Sequence, residues 1–338
     1  MTITEKDIKK GDNLECPLVS IIICAFSSKR FDMTVDCINS IFNNTYKNYE
    51  IILVIDGNER LKQKIEDRFK DVDEIIVIGN KKDSGPSIAR NHGIEIANGN
   101  IIAFIDDDAV APNDWLERIA KNFSDNQDII VIGGRLLPIY NNNNNKYKLP
   151  EELLWIVGCT YNGHPENKQF MRNVISANMA VKKDIFKEIN FETMHNKKNR
   201  FFTPIKQLED TLFCVRINNR VHNAVLYDPD IIVHHNVPIE RLRIEYILKR
   251  TFSEGMLKAK LGHIDDKNAV LSYEQSYLNI LLISIIKNSY RLRIRNSLLL
   301  SIVIISVAMG YISETILFLS QKRRYLSELN MTGQKGNV

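Results

Sequence analysis

Asp106, Asp107 and Asp108 follow directly on an uninterrupted apolar run, Ile101 to Ile105. Three adjacent carboxylates repel one another unless a cation holds them. Alternate residues of an extended chain share a face, so Asp106 and Asp108 can converge on one hard divalent ion while Asp107 points elsewhere. Such an ion suits a phosphorylated leaving group, because it neutralises developing charge without moving a proton. The tripeptide could equally end a strand and solvate a turn. Two other carboxylate chemistries fit poorly. An aspartyl phosphatase needs Thr soon after its Asp-x-Asp, and here Ala109 and Val110 follow. A nucleotidyltransferase wants a glycine-rich phosphate loop after its first strand, and Ala25 to Arg30 contain no glycine.

Carboxylates in that position need a sheet behind them. A short, Ile-rich run with no polar interruption reads as a strand buried on both faces, as in a parallel sheet. Ligands of such sheets gather outside the carboxyl ends of the strands. The flanking sequence repeats the motif. Val19 to Cys24, Glu50 to Asp56, Ile75 to Ile78 and Ile129 to Gly134 read as further strands. Helical spacing lies between them at Val35, Ile38, Ile41 and Phe42, from Leu61 to Phe69, and from Pro86 to Asn98. This alternation predicts an α/β fold with a doubly wound, mostly parallel sheet. Around the third helix, Ser84 is placed to cap, Pro86 suits the first turn and Gly99 can close the end. Gly93, inside that helix, reads as a close contact with a strand.

The 338 residues are 44% hydrophobic, enough for a sizeable core, and 45 basic against 41 acidic residues leave a net charge of +4. That balance carries no nucleic-acid signature. Five cysteines without C-x-x-C spacing argue against a disulfide framework or a zinc site and fit a reducing cytosol. The polar opening residues do not form a signal peptide. The resulting organisation is a polar extension over 1–16 and a catalytic domain over 17–238, split into a nucleotide-binding half (17–138) and an acceptor half (149–238). The asparagine run Asn141 to Asn145 separates the halves as a low-complexity loop.

Residues 239–263 form a basic amphipathic helix suited to anionic lipid headgroups. Residues 275–320 are membrane-associated helical sequence. Gln275 to Ile286 is too short to cross a bilayer, and Asn296 to Ser313 lies at the lower limit. Basic clusters flank the second stretch on both sides, Lys287, Arg291, Arg293 and Arg295 before it and Lys322, Arg323 and Arg324 after it. That symmetry disfavours a single crossing and favours a re-entrant or interface-lying hairpin bending near Gly310. The expected location is the cytoplasmic face of the membrane.

Six stretches in order resemble glycosyltransferase family 2, the inverting nucleotide-sugar enzymes of the GT-A fold. They are VSIIICAFSSKR, EIILVIDG, GPSIARNHGIEIANGNIIAFIDDDAVAPNDWL, ISANMAVKKDIF, LEDTLFCVRI and IIVHH. The C-terminal third is similar to members that build lipid-linked glycans, including dolichyl-phosphate-sugar glucuronosyltransferases. The resemblance implies a UDP-sugar donor, an acceptor held on a polyprenyl or dolichyl phosphate, and Mn²⁺ or Mg²⁺ as cofactor.

It also implies roles residue by residue. Ala25 and Phe26 hold the nucleotide base, with Phe26-Ser27 where the family usually has Tyr-Asn. Asp56 accepts from the uracil ring, and Arg90 lies near the nucleotide-binding aspartates. Asp106 serves the ribose or the metal, Asp107 stands in the nucleotide-sugar site, and Asp108 is a direct metal ligand. His234 or His235 supplies a further ligand, His234 being favoured, since neighbours on a strand face opposite ways. Asp210 is the general base and Glu209 its companion, although two acids at a helix start also suit the helix dipole. Asn178 faces the sugars. Arg250 stands near the place of a Gln-x-x-Arg-Trp motif that is otherwise missing. One transfer per acceptor therefore fits better than polymerisation, with Arg250 available to the pyrophosphate.

Overall fold

The computed structural model describes residues 16–140, 147–192, 209–264 and 267–333. The asparagine loop and nearly all of the N-terminal extension lie outside the described residues. Nine strands form one sheet: β1 (Val19–Ala25), β2 (Tyr49–Asp56), β3 (Ile75–Asn80), β4 (Ile101–Asp106), β5 (Ala109–Val110), β6 (Val131–Ile139), β7 (Gln169–Phe170), β8 (Asn178–Lys182) and β9 (Val225–Asn236). The helices are α1 (Phe31–Phe42), α2 (Glu59–Arg68), α3 (Pro86–Ile96), α4 (Trp115–Asp125), α5 (Glu209–Arg220), α6 (Ile244–Ile264), α7 (Lys267–Tyr290) and α8 (Ile294–Gly333).

The sheet runs β3-β2-β1-β4-β8-β6-β9-β5, with β7 on the side of β9. The first four strands are mutually parallel, as the alternating sequence predicts. β8 then enters antiparallel between β4 and β6, so the sheet is mixed beyond β4. Parallel strands buried on both faces place alternate residues in two cores. Ile21, Ile23, Ile51, Ala103 and Ile105 pack with Ile38 of α1 and with Trp115 and Phe123 of α4. Ile22, Val54, Ile102 and Phe104 pack on the other face with Ala89 of α3 and Phe213 of α5. Gly93 lets α3 close on that face, since a Cβ there would lie 2.8 Å from Ile22 Cγ2.

The entry to α3 differs from expectation. Gly85, at φ +88°, occupies the cap position, and Ser84 makes no capping bond to the helix. The backbone N–H groups of Ser84 and Gly85 instead donate to Asp56 Oδ2, at 3.0 and 2.8 Å. The helix ends at Ala97, ahead of Gly99.

A third apolar cluster attaches the C-terminal helices to the sheet domain. Leu153, Ile156 and Val157 of the 3-10 segment Glu151–Val157 pack with Ile247 of α6, Leu281 of α7, and Leu300 and Val303 of α8. Helix α8 runs without interruption past Gly310, so the expected bend is not there. Gly310 is a crossing point: a Cβ on it would lie 2.0 Å from Phe252 O, and one on Gly255 would lie 2.0 Å from Val307 O. The hairpin turns instead at Arg291 to Arg293, between α7 and α8, with Leu292 at φ +54°. Helix α6 is likewise not a free interfacial helix. Its Arg250 and Lys258 pair with Glu254, and its Lys260 pairs with Glu314 of α8.

Candidate active site

β4 delivers Asp106 to the edge of the sheet and the chain turns at once into β5, which pairs antiparallel with the end of β9. Asn236 secures this corner, donating from its backbone N–H and from Nδ2 to Asp108 O at 2.9 and 3.0 Å. The register sets Ala109 opposite His235 and Val110 opposite His234. His235 therefore turns inward, its Nε2 lying 3.4 Å from Asp108 Oδ1 and 3.7 Å from Asp106 Oδ2. His234, half-buried, faces the other way. This reverses the order of preference taken from the sequence, because strand pairing, not the order of residues in the dipeptide, chooses which ring meets the carboxylates.

Burial by itself would depress the His235 imidazole. The Asp106 hydrogen bond, Cys159 and the Asp108 charge outweigh it and push it up to about 10. Burial would raise Asp106, but the same His235 contact, with Arg90 and Arg241, holds it down at about 2. His235 and Asp106 thus each favour the charged form of the other. Asp108 Oδ1, fully buried, has no hydrogen-bond partner.

Arg30, in the 3-10 turn Ser28–Arg30 after β1, carries a role that sequence reasoning left unassigned. Its Nη1 lies 2.8 Å from Asp107 Oδ1 and 3.2 Å from Asp108 Oδ2. Asp107 thus points away from the other two, as the alternation requires, into a buried ion pair. Desolvation still raises it to about 7 despite Arg30. Asp107 is a partner of Arg30, and its geometry gives no independent place for a sugar.

Arg90 of α3 spans from this cluster to the acid pair at the start of α5. Its Nη1 is 3.0 Å from Glu209 Oε1 and its Nη2 3.9 Å from Asp106 Oδ1. It also lies over the ring of Phe191, 5.5 Å from its centroid. Next in the chain, Asp210 accepts from the backbone N–H of Ser176 at 3.3 Å and of Thr211 at 2.7 Å. Burial and the neighbouring Glu209 charge together raise Asp210 to about 6 against the opposing pull of Arg90. An aspartate held there is poised to take a proton near neutral pH.

Around the cluster, Ala25 is buried at the end of β1, while Phe26 presents an exposed ring with Arg30 5.7 Å from its centroid. Asp56 also accepts from Asn80 Nδ2 at 2.8 Å, so it pins the loop into α3 and keeps spare acceptor capacity on Oδ1.

Two assignments fail on geometry. Asn178 is 1% exposed, and its amide is fully engaged. Trp115 Nε1 donates to its Oδ1 at 2.9 Å, and its Nδ2 donates to Arg135 O and Ile231 O at 3.0 and 2.9 Å. The β6–β9 register shifts at Gly134/Arg135, and Asn178 supplies hydrogen bonds to carbonyls at that irregularity. It has nothing left for a sugar. Arg250 is committed elsewhere, its Nη1 2.6 Å from Glu254 and its guanidinium 5.2 Å from the Trp155 ring centroid, with its buried Nε left without a hydrogen-bond partner among the described residues. Besides Arg90, the arginine whose charge reaches Asp106 is Arg241, which donates to Val157 O at 3.1 Å. Arg30 closes the first motif stretch, VSIIICAFSSKR, without a role assigned to it there, and the signal for Arg241 was a cation shortly after the end of β9.

The family model described as "Glycosyl transferase family 2" matches residues 20–190. The chain belongs to glycosyl transferase family 2. A glucosyl-dolichyl phosphate glucuronosyltransferase of Haloferax volcanii is 30% identical over 259 residues, which span 75% of this chain and 82% of that relative. Among solved structures, a mannosyltransferase of Pyrobaculum calidifontis, in complex with GDP-Man and Mn²⁺, superposes with a TM-score of 0.57 at 14% identity. That match covers 91% of this chain and 92% of the other. S. aureus TarS 1-349 in complex with UDP-GlcNAc gives a TM-score of 0.52 at 14% identity, over 77% of this chain and 71% of that one. These likenesses establish the GT-A fold, as the order of motifs implies.

Proposed function

We propose that this chain is a metal-dependent, inverting glycosyltransferase. It moves one sugar from a UDP-sugar to an acceptor held at a membrane, a polyprenyl or dolichyl phosphate or a glycan linked to one. The observation that carries the reading is the continuous ion-pair chain from Asp108 and His235 through Asp106 and Arg90 to Glu209, beside Asp210. On this reading the leaving-group site and the proton acceptor stand at the two ends of that chain.

Asp106, Asp108 and His235 offer ligand atoms that all lie within 4.8 Å of one another, and Asp108 Oδ1 lies 3.4 Å from His235 Nε2 without a hydrogen bond. Two carboxylates and one imidazole suit Mn²⁺, with Mg²⁺ preferring oxygen throughout. When bound, the cation supplies charge neutralisation at the diphosphate. Arg30 keeps Asp107 and Asp108 in place, and Arg241 adds a positive charge on the β9 side. Phe26 offers a flat apolar face to the base, and Asp56 Oδ1 can accept from an imide N–H, which favours uridine over cytidine. Asp210 takes the acceptor hydroxyl's proton as that oxygen attacks the anomeric carbon from the side opposite the departing diphosphate.

The Haloferax volcanii relative supports a dolichyl-phosphate-linked acceptor. The solved structures similar to this chain are complexes with donors of two nucleotide types, so the donor is what the first experiment must decide. UDP-sugars and GDP-mannose are screened for thermal stabilisation with Mn²⁺, and the best donor is then tested on polyprenyl phosphates. Stabilisation by a UDP-sugar only when Mn²⁺ is present is the expected result. Stabilisation by GDP-mannose alone, or by donors equally with a chelator, would overturn the donor or the metal assignment.

A further inference from the structure

The apolar C-terminal helix is long enough to cross a bilayer: Ile294–Gln321, 28 residues, spans about 42 Å at ~1.5 Å per residue. Its surroundings forbid it. Helix α6 lies along the middle of α8 and runs parallel to it, with Thr251 bonded to Ser306, Gly255 against Val307 and Tyr311, and Lys260 paired to Glu314. An upright α8 would carry the Arg250–Glu254–Lys258 ion-pair group of α6 into hydrocarbon, where charged side chains are strongly disfavoured. The same stretch of α8 packs Leu300 and Val303 onto Leu153 and Ile156 of the catalytic domain. Leu300 and Val303 fall within the first half of the apolar stretch, so a crossing would draw the catalytic domain seated there into the bilayer.

Among the described residues nothing covers the opposite face of α8, and that face is regular. Leu298, Ile302, Ile305, Met309, Ile312 and Ile316 recur at alternating steps of four and three, and each is exposed. Leu282 and Ile286 of α7 are exposed as well. At the turn joining the two helices, Tyr290, Leu292 and Ile294 alternate with Arg291, Arg293 and Arg295, and all three apolar side chains stand in solvent.

We infer that the α7–α8 hairpin lies in the plane of one leaflet, its apolar stripe in the acyl boundary and its arginine turn on anionic phospholipid headgroups, without crossing the bilayer. Charge selects this occupant over a second copy of the chain. The sequence is basic at both ends of the stripe, Arg293 and Arg295 before it and Lys322 to Arg324 after it, so parallel or antiparallel pairing of two copies sets like charges together. An anionic lipid surface complements both ends, and an amphipathic helix of this kind binds by buried apolar area plus that attraction. The inference rests on the membrane-held acceptor proposed above. Its test does not measure turnover, so it can fail while that reading stands.

The test uses the full-length protein in membrane vesicles of known orientation from producing cells. Single cysteines are placed at either end of the stripe, Asn296→Cys or Gln321→Cys, in a Cys16→Ser background, with that background alone as reference. A membrane-impermeant maleimide should react with both ends alike, before and after detergent. Protection of one end until detergent is added, with the other reacting freely, would establish a crossing and overturn the inference. In a second arm, purified protein is floated with phosphatidylcholine vesicles with or without phosphatidylglycerol. Replacing Arg291, Arg293 and Arg295 by Gln should lower partitioning about fivefold per arginine on the anionic vesicles. Equal binding to both vesicle types sinks the headgroup assignment. The double substitution Ile305→Glu, Ile312→Glu should abolish flotation with unchanged circular dichroism. If it instead splits a dimer and leaves flotation intact, a second copy covers the stripe and the proposal is wrong.

Discussion

β4 and the middle of α8 are built from nearly the same residues and meet opposite fates. Ile101 to Ile105 are at most 2% exposed, whereas Ile305, Met309 and Ile312 are at least 56% exposed. In β4 the side chains alternate into two cores, so every apolar group is consumed in folding and only the carboxylates at the strand end are left for chemistry. In α8 one side is consumed, against α6 and the 3-10 segment, and the other is presented. An apolar run is therefore evidence of what it packs against only after its neighbours are known. In this molecule one run builds the site and the other is free to locate it.

That contrast can be broken or sharpened by measurement. The largest effect belongs to the end of β4: Asp108→Ala should abolish Mn²⁺-dependent UDP binding by calorimetry, and binding that persists in excess Mn²⁺ would remove its place as a ligand. Within the strand, Phe104→Ala empties a site where Phe191 and Phe186 lie 5.4 and 6.3 Å away, ring to ring. It should cost about 3–5 kcal/mol in denaturant unfolding. Asp210→Asn should reduce kcat by ~10²-fold or more with little change in UDP affinity. Loss of both together would disqualify it as the base.

The pH profile comes next. A base whose carboxyl is raised to about 6 by burial and by Glu209 is protonated below that pH and active above it. kcat should rise roughly tenfold from pH 5 to 7 and then level off. A flat profile over that interval is the contrary outcome. Smallest is Ile305→Ala on the presented face of α8, expected within about 0.5 kcal/mol of the parent in unfolding. A loss as large as that of Phe104→Ala would mean that the stripe is part of the core and erase the comparison.

Much of the site was legible because its parts are local. The strand-to-carboxylate transition at Asp106, the acid pair opening α5 and the arginine of α3 each announce themselves by residue type next to a periodic segment. Asn178 misled for the same reason: its motif is local, but its partners, Trp115, Arg135 and Ile231, come from three distant segments. Gly310 misled similarly, since a glycine in an apolar run can mark a bend or a close crossing, and only the position of Phe252 decides between them.

The chain's periodicities by themselves determined the parallel half of the sheet, the two-sided burial of β4 and the placing of three carboxylates at its rim. Alternation and helical repeat are properties of consecutive residues, so the elements they specify can be read without knowing which distant segments meet. Only the tertiary structure decided that His235 rather than His234 meets those carboxylates, that Arg30 holds Asp107 and Asp108, and that α8 lies beside the catalytic domain. Those outcomes depend on the register between β5 and β9 and on contacts between segments far apart in sequence. A shift of one residue in that register would turn the other imidazole inward.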